Sequence, residues 1–166
     1  MKDNEEELLP IVDESGREIA TAPRGVCHGG SMLLHPVVHL HVFNQAGELF
    51  LQKRPLWKDI QPGRWDTAVG GHVSPGESVE DALRREAAEE LGLVDFQPER
   101  MISYVFESDR ERELVNVFKT VIEYLPMPTE ELDGGAFWTR QDILRSLGSG
   151  VFTPNFEQEY LRLFGE

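Results

Sequence analysis

The 166-residue chain sets 16 Lys and Arg against 30 Asp and Glu, a formal charge of -14, with 40% hydrophobic and 28% charged residues. Length and composition suit one domain over residues 1–166 and exclude disordered, collagen-like and coiled-coil chains, while the negative surface argues against a nucleic-acid polymer or an anionic membrane as partner. The lone Cys27 excludes an intrachain disulfide, no window approaches the ~20 apolar residues of a membrane span, and the acidic start MKDNEEELLP is unlike a signal peptide, so a cytoplasmic location is expected.

In chain order, the apolar stretches 8–12 and 18–22 flank Asp13-Glu14-Ser15-Gly16 and predict an N-terminal β-ribbon. Residues 37–43 and 48–52, joined by Asn44-Gln45-Ala46-Gly47, predict strands, as do 101–106, 114–124 and 136–138. Gly70-Gly71-His72-Val73-Ser74-Pro75-Gly76-Glu77 reads as a loop whose paired glycines let backbone approach a ligand. Ser78, with Asp81 three residues on, starts a helix that runs to Leu91 and stops at Gly92. Two further helices are expected, one from Thr139 or Gln141 to Leu147 before Gly148, the other from Thr153-Pro154 through residues 155–164. Strands with intervening and terminal helices make an α/β or α+β sandwich with a mixed sheet.

On a wheel of about 100° per residue, Val79, Leu83, Ala87 and Leu91 define the apolar stripe of the Ser78 helix. Glu90 falls inside that stripe and Glu86 and Glu89 on its margins, so three carboxylates crowd the buried side. Such acids repel one another and are costly to desolvate unless a cation neutralises them. A hard divalent ion meets that need with oxygen ligands, and Arg85 is the alternative cation. Upstream, Lys53, Arg54, Lys58 and Arg64 face only Asp59, a local +3 suited to a diphosphate. Trp57 and Trp65 are candidates for base stacking or core, with core favoured for Trp65.

Residues 71–93, GHVSPGESVEDALRREAAEELGL, resemble a complete Nudix box, matching without a gap at Gly71, Glu77, Arg85, Glu86, Glu89, Glu90 and Gly92. The resemblance implies a single Nudix hydrolase domain with an α/β/α sandwich. It also implies Mg²⁺- or Mn²⁺-dependent hydrolysis of a nucleoside diphosphate derivative or related small diphosphate, with homodimerisation left open. Glu86, Glu89, Glu90 and the Gly71 carbonyl would then hold metal, Arg85 and Glu77 would orient the acids, and Glu89, Glu111 and Glu113 are candidates for the general base. A second resemblance, in patches over residues 10–120, is to type 1 isopentenyl diphosphate isomerases. It implies a metal site at His28, His35, His72, Glu111 and Glu113, with Arg54 and Lys58 near the diphosphate. Gly70 stands where that family has its catalytic cysteine, so isomerase chemistry is not implied. An isomerase-like enzyme and a non-catalytic nucleotide-binding regulatory module are the alternative readings.

Overall fold

The computed structural model describes residues 5–54, 56, 62–124 and 134–165. The expected ribbon is present as β1 (Leu8–Val12) and β2 (Glu18–Pro23), an antiparallel pair. Its turn is held by Asp13, whose Oδ1 accepts from the backbone N–H of Ser15 and Arg17, taking donors the turn would otherwise leave unpaired. The ribbon is a separate two-stranded sheet that buries Leu9, Ile11 and Ala22 with Cys27. A one-turn helix that the sequence did not signal, α1 (Arg24–Cys27), leads from it to His28.

The main sheet comprises β3 (Leu34–Phe43), β4 (Leu49–Lys53), β5 (Trp65–Thr67), β6 (Val69–His72), β7 (Glu99–Glu107), β8 (Arg112–Val121) and β9 (Gly135–Trp138). Helix α2 (Val79–Leu91) follows β6, and α3 (Arg140–Ser146) and α4 (Pro154–Phe164) follow β9. The strand order is β5-β4-β3-β8-β7, with β6 on β3 and β9 on β4. Strand β3 runs parallel to β8 and antiparallel to β4 and β6, so the sheet is mixed as expected.

Alternation along β3 and β4 builds the layers, because successive side chains leave opposite faces of a strand. Val38, Leu40, Val42 and Phe50 pack on Ala82, Leu83, Ala87 and Leu91, placing α2 on one face. On the other face Leu49 and Leu51 pack on Phe152, Phe156 and Tyr160, and Val37, Val115 and Val117 on Leu163, placing α4 there. Each such large side chain, when fully buried, contributes ~1.5–3 kcal/mol. The result is an α/β/α sandwich.

Two expectations need correction. Residues 70–72 are not loop but part of β6, because both glycine backbones pair with β3 (Val38↔Gly71, His39↔Gly70). Strand β8 ends at Val121, short of residue 124. The three-residue β5 is too short to show a period in the sequence. Trp65 packs against Trp138 with ring centroids 5.3 Å apart, the core role expected of it. Lys58 and Trp57 lie outside the described residues. Among the described residues, no helix is long and apolar enough to cross a membrane.

Candidate active site

Helix α2 starts as its sequence dictates, with Ser78 Oγ accepting the Asp81 N–H at 3.0 Å, and ends on Gly92 at φ 67°. Between these caps Arg85 acts as a fork. Its Nε and Nη2 donate to the two Glu77 oxygens at 3.0 and 2.9 Å, Nη2 also to the His72 carbonyl at 3.0 Å, and Nη1 to Glu86 Oε1 at 2.7 Å. This bidentate pairing holds the Glu77 carboxyl below its ordinary range, and a guanidinium can hold two carboxylates in one plane where an ammonium cannot. Gly71 lies against the same carboxylate, where a Cβ would stand inside the Glu86 side chain. Glu90 accepts the Gly70 N–H at 3.1 Å. Burial, and then the nearby Glu86, pushes its carboxyl well above the ordinary range, as expected of an acid waiting for a counter-charge.

Glu89 departs from expectation. The wheel places it at the margin of the buried stripe, yet its side chain is 58% exposed, with Arg85 Nη1 at 3.6 Å. The helix buries Ala82, Leu83, Ala87 and Leu91 in the core, and Glu89 lies just beyond that covered face. Two acids, Glu86 and Glu90, therefore face inward and the third faces solvent. Arg85 pairs with the acids as the alternative cation would, but its bonds go to Glu77, Glu86 and the His72 carbonyl, while Glu90 is held by the Gly70 N–H and the Gln52 side chain.

A second group assembles on the opposite face of the same strands. Parallel pairing sets His35 beside Glu113, and antiparallel pairing sets His72 beside Val37, one step from His35 on the same face. His28 arrives from α1, and the bond from Gly30 N–H to the Arg110 carbonyl, 2.8 Å, ties that segment to the β7–β8 hairpin carrying Glu111. Ligand atoms of His28, His35 and His72 lie within 4.8 Å of one another, as do those of His35, Glu111 and Glu113. His35 Nδ1 donates to the Leu33 carbonyl at 3.1 Å, which orients the ring and turns Nε2 towards the carboxylates. That Nε2 is buried without a hydrogen-bond partner, 3.7 Å from Glu111 and 3.9 Å from Glu113.

Burial and the Arg24 and histidine charges drive the His72 pKa well below its ordinary value, and burial lowers that of His28, so both rings are neutral. Burial and the charge of Glu111 raise the Glu113 carboxyl to about 7; Glu111, despite its own burial, is drawn to about 2 chiefly by His35. Neutral imidazoles and paired carboxylates around an orphaned nitrogen fit a borderline divalent ion, which takes mixed N and O ligands.

The basic residues upstream are less concentrated than the sequence implied. Arg54 lies 3.6 Å from Asp66, and Arg64 donates to the Phe152 carbonyl at 3.3 Å rather than facing the acids. Lys53 is in register with Trp65 at the end of β4.

The sequence reading missed a buried polar hub. Glu159 of α4 accepts His39 Nδ1 at 2.8 Å and the Tyr104 hydroxyl at 2.6 Å on one oxygen, and His41 Nε2 at 2.6 Å on the other. The alternation of His35, His39 and His41 on one strand was its available signal, since period-2 spacing puts all three on the α4 face.

A model of the NUDIX domain matches residues 33–154. The chain is 33% identical over 165 residues to the Nudix hydrolase PA4841 of Pseudomonas aeruginosa, covering 95% of this chain and 93% of that protein. It is 39% identical over 109 residues to an isopentenyl-diphosphate Delta-isomerase of Corynebacterium efficiens, a match covering 66% of this chain and 57% of that enzyme. Among the isomerases that match, the shared segment is about half of their length. The crystal structure of DR0079 from Deinococcus radiodurans superposes with a TM-score of 0.81 at 24% identity, over 95% of this chain and 99% of that one, a likeness of fold.

Proposed function

Because the chain belongs to the NUDIX family, we propose that it is a divalent-metal-dependent hydrolase that cleaves the P–O–P bond of a small diphosphate by attack of water on phosphorus. The observation that carries this reading is the inward pair Glu86 and Glu90, set against the Gly70–Gly71 backbone, with Arg85 fixing only one of them. Glu86, Glu89, Glu90 and the Gly71 carbonyl would hold Mg²⁺ or Mn²⁺, and His28, His35, His72, Glu111 and Glu113 a second ion. When bound, such ions neutralise phosphoryl oxygens and lower the pKa of water.

The chain's own residues do the rest. Arg85 and Glu77 lock the rotamer of Glu86, so its oxygens need not reorganise as charge develops. Arg54 supplies positive charge towards the diphosphate. Glu89, the most solvent-exposed of the three candidate bases, takes the proton of the attacking water. Glu90→Gln removes one charge at nearly constant volume. It should lower kcat at least a hundredfold in a phosphate-release assay with Mg²⁺ or Mn²⁺ while leaving the circular dichroism spectrum unchanged; full activity would refute the assignment.

The assembled histidine and glutamate group favours a second reading, an isomerase-like enzyme. Gly70 weighs against it, because isomerisation needs an acid and a base at two carbons and a hydrogen atom supplies neither. Incubation of isopentenyl diphosphate in heavy water, followed by NMR, should give no enzyme-dependent dimethylallyl isomer; its appearance would establish the isomerase reading.

A further inference from the structure

Strand β4 sends one polar side chain into the apolar layer beneath α2. Phe50 packs on that helix, and Gln52, two residues on, leaves the same face of the strand and is only 8% exposed. A buried carboxamide has two N–H donors to satisfy, and those of Gln52 lead to the box. Nε2 donates to the carbonyl of Ala68, in the link between β5 and β6, at 3.3 Å, and the side chain also bonds the Glu90 carboxylate. Glu90 in turn accepts the N–H of Gly70, two residues beyond Ala68. Gln52 and Glu90 are therefore fastened to each other and to the same short stretch of backbone.

This arrangement makes the amide a bracket. A main-chain carbonyl can only accept, so Nε2 must face Ala68, and the side chain cannot flip without losing its bonds to both partners. Pairing of the strands does not require the bracket, because Leu51, Gln52 and Lys53 already join β4 to β5 through their backbones.

The two inward acids are held in opposite ways. Glu86 is fixed by the Arg85 guanidinium, which offsets part of its charge. Glu90 is held by an amide and a backbone N–H, neither of which carries a net charge. Its negative charge thus stays available to a cation. A basic side chain at position 52 would compete with a metal for Glu90, and an apolar one would let the carboxylate turn.

We propose that Gln52, outside the box, is a positioning residue for the metal site: it fixes the Glu90 carboxylate through a neutral hydrogen bond and so reserves that acid's charge for a divalent ion. The proposal rests on the hydrolase reading only in taking Glu90 as a metal ligand.

The test titrates the full chain and its variants with Mn²⁺, reading the unbound ion by electron paramagnetic resonance, and measures thermal midpoints of the metal-free proteins alongside. Glu90→Gln identifies which component of the isotherm belongs to the box. Gln52→Met keeps the length of the side chain and removes both donors. It should weaken the Glu90-dependent component roughly 10–100-fold, the range typical of outer partners of metal ligands, and leave the remaining Mn²⁺ binding as in the parent. Gln52→Lys is an independent check, since it keeps a donor but gives it a charge. It should weaken the same component at least as far, because the ammonium takes the acid that the ion needs. A Glu90-dependent component unmoved by both substitutions, even with a lowered thermal midpoint, would show that Gln52 merely staples the strands and would overturn the proposal alone. An isotherm unchanged in Glu90→Gln would refute the metal reading of the box and the proposal with it.

Discussion

Arg85 and Gly71 show how single side chains set the geometry of the acids. Arg85→Lys keeps the charge but loses the fork that spans Glu77, Glu86 and the His72 carbonyl. By analogy with the loss of outer-shell partners at metal sites, kcat/KM for the best substrate should fall roughly 10–100-fold with little change in thermal midpoint. An unchanged kcat/KM would show that Glu86 is oriented by other means. Gly71→Ala places a methyl group inside the Glu86 carboxylate. Overpacking of this kind costs ~1–3 kcal/mol, measurable as a lower urea midpoint, and should weaken Mn²⁺ binding in the same titration. For the second group, His28→Ala combined with Glu111→Gln removes one ligand from each half of the cluster. Metal content by elemental analysis should drop relative to the parent protein, and equal content would argue against an ion there.

At the scale of elements, β3 carries most of the organisation. Its even positions face α2 and its odd positions face α4, so one strand supplies core to one layer and His35, His39 and His41 to the other. The Glu159 hub that pins α4 to β3 has a pH signature. His39 titrates at about 9, where the attraction of Glu159 outweighs burial, against about 6.5 in the unfolded chain. A raised pKa means its stabilisation is fully present below about pH 6.5 and is lost as pH rises through about 9. Glu159 runs the opposite way. Its carboxyl is depressed by His39 and His41 despite burial, so its contribution is present above the unfolded value of about 4.3 and disappears on acidification. Chemical denaturation from pH 5 to 10 should therefore show stability declining on the alkaline side. In Glu159→Gln the protein should be less stable by roughly 3–5 kcal/mol at pH 7 and the alkaline decline should flatten; an unaltered alkaline limb would separate His39 from that decline.

For the molecule as a whole, what the sequence made legible follows the reach of its signals. The ribbon, α2 with both caps and α4 with its Thr153-Pro154 start were readable because hairpin chemistry, capping and the 3.6-residue period are local. The one-turn α1 and three-residue β5 were not, since neither spans a period. The Gly70-Gly71 step reads as a turn in isolation and becomes strand only through its pairing with β3, a partner about 30 residues away in the sequence. The same limit governs the site. The box acids lie within one helix and could be placed on a wheel, although exposure of Glu89 depended on which neighbours cover that helix. His28, His35, His72, Glu111 and Glu113 come from four segments, so residue pattern alone could not assemble them and the family resemblance did. The Glu159 hub joins positions 118 and 120 apart in the chain and left only the histidine alternation as a trace.

The central claim, water attack at phosphorus in a metal-dependent hydrolysis, is tested most directly by running the reaction in ¹⁸O-labelled water. The purified chain, Mg²⁺ or Mn²⁺ and the best-cleaved diphosphate are combined, and the phosphate products are analysed by mass spectrometry. The account predicts one labelled oxygen per cleavage on a product phosphate and no cleavage when the metal is chelated. Cleavage that leaves the phosphates unlabelled, or that continues at the same rate without metal, would contradict it.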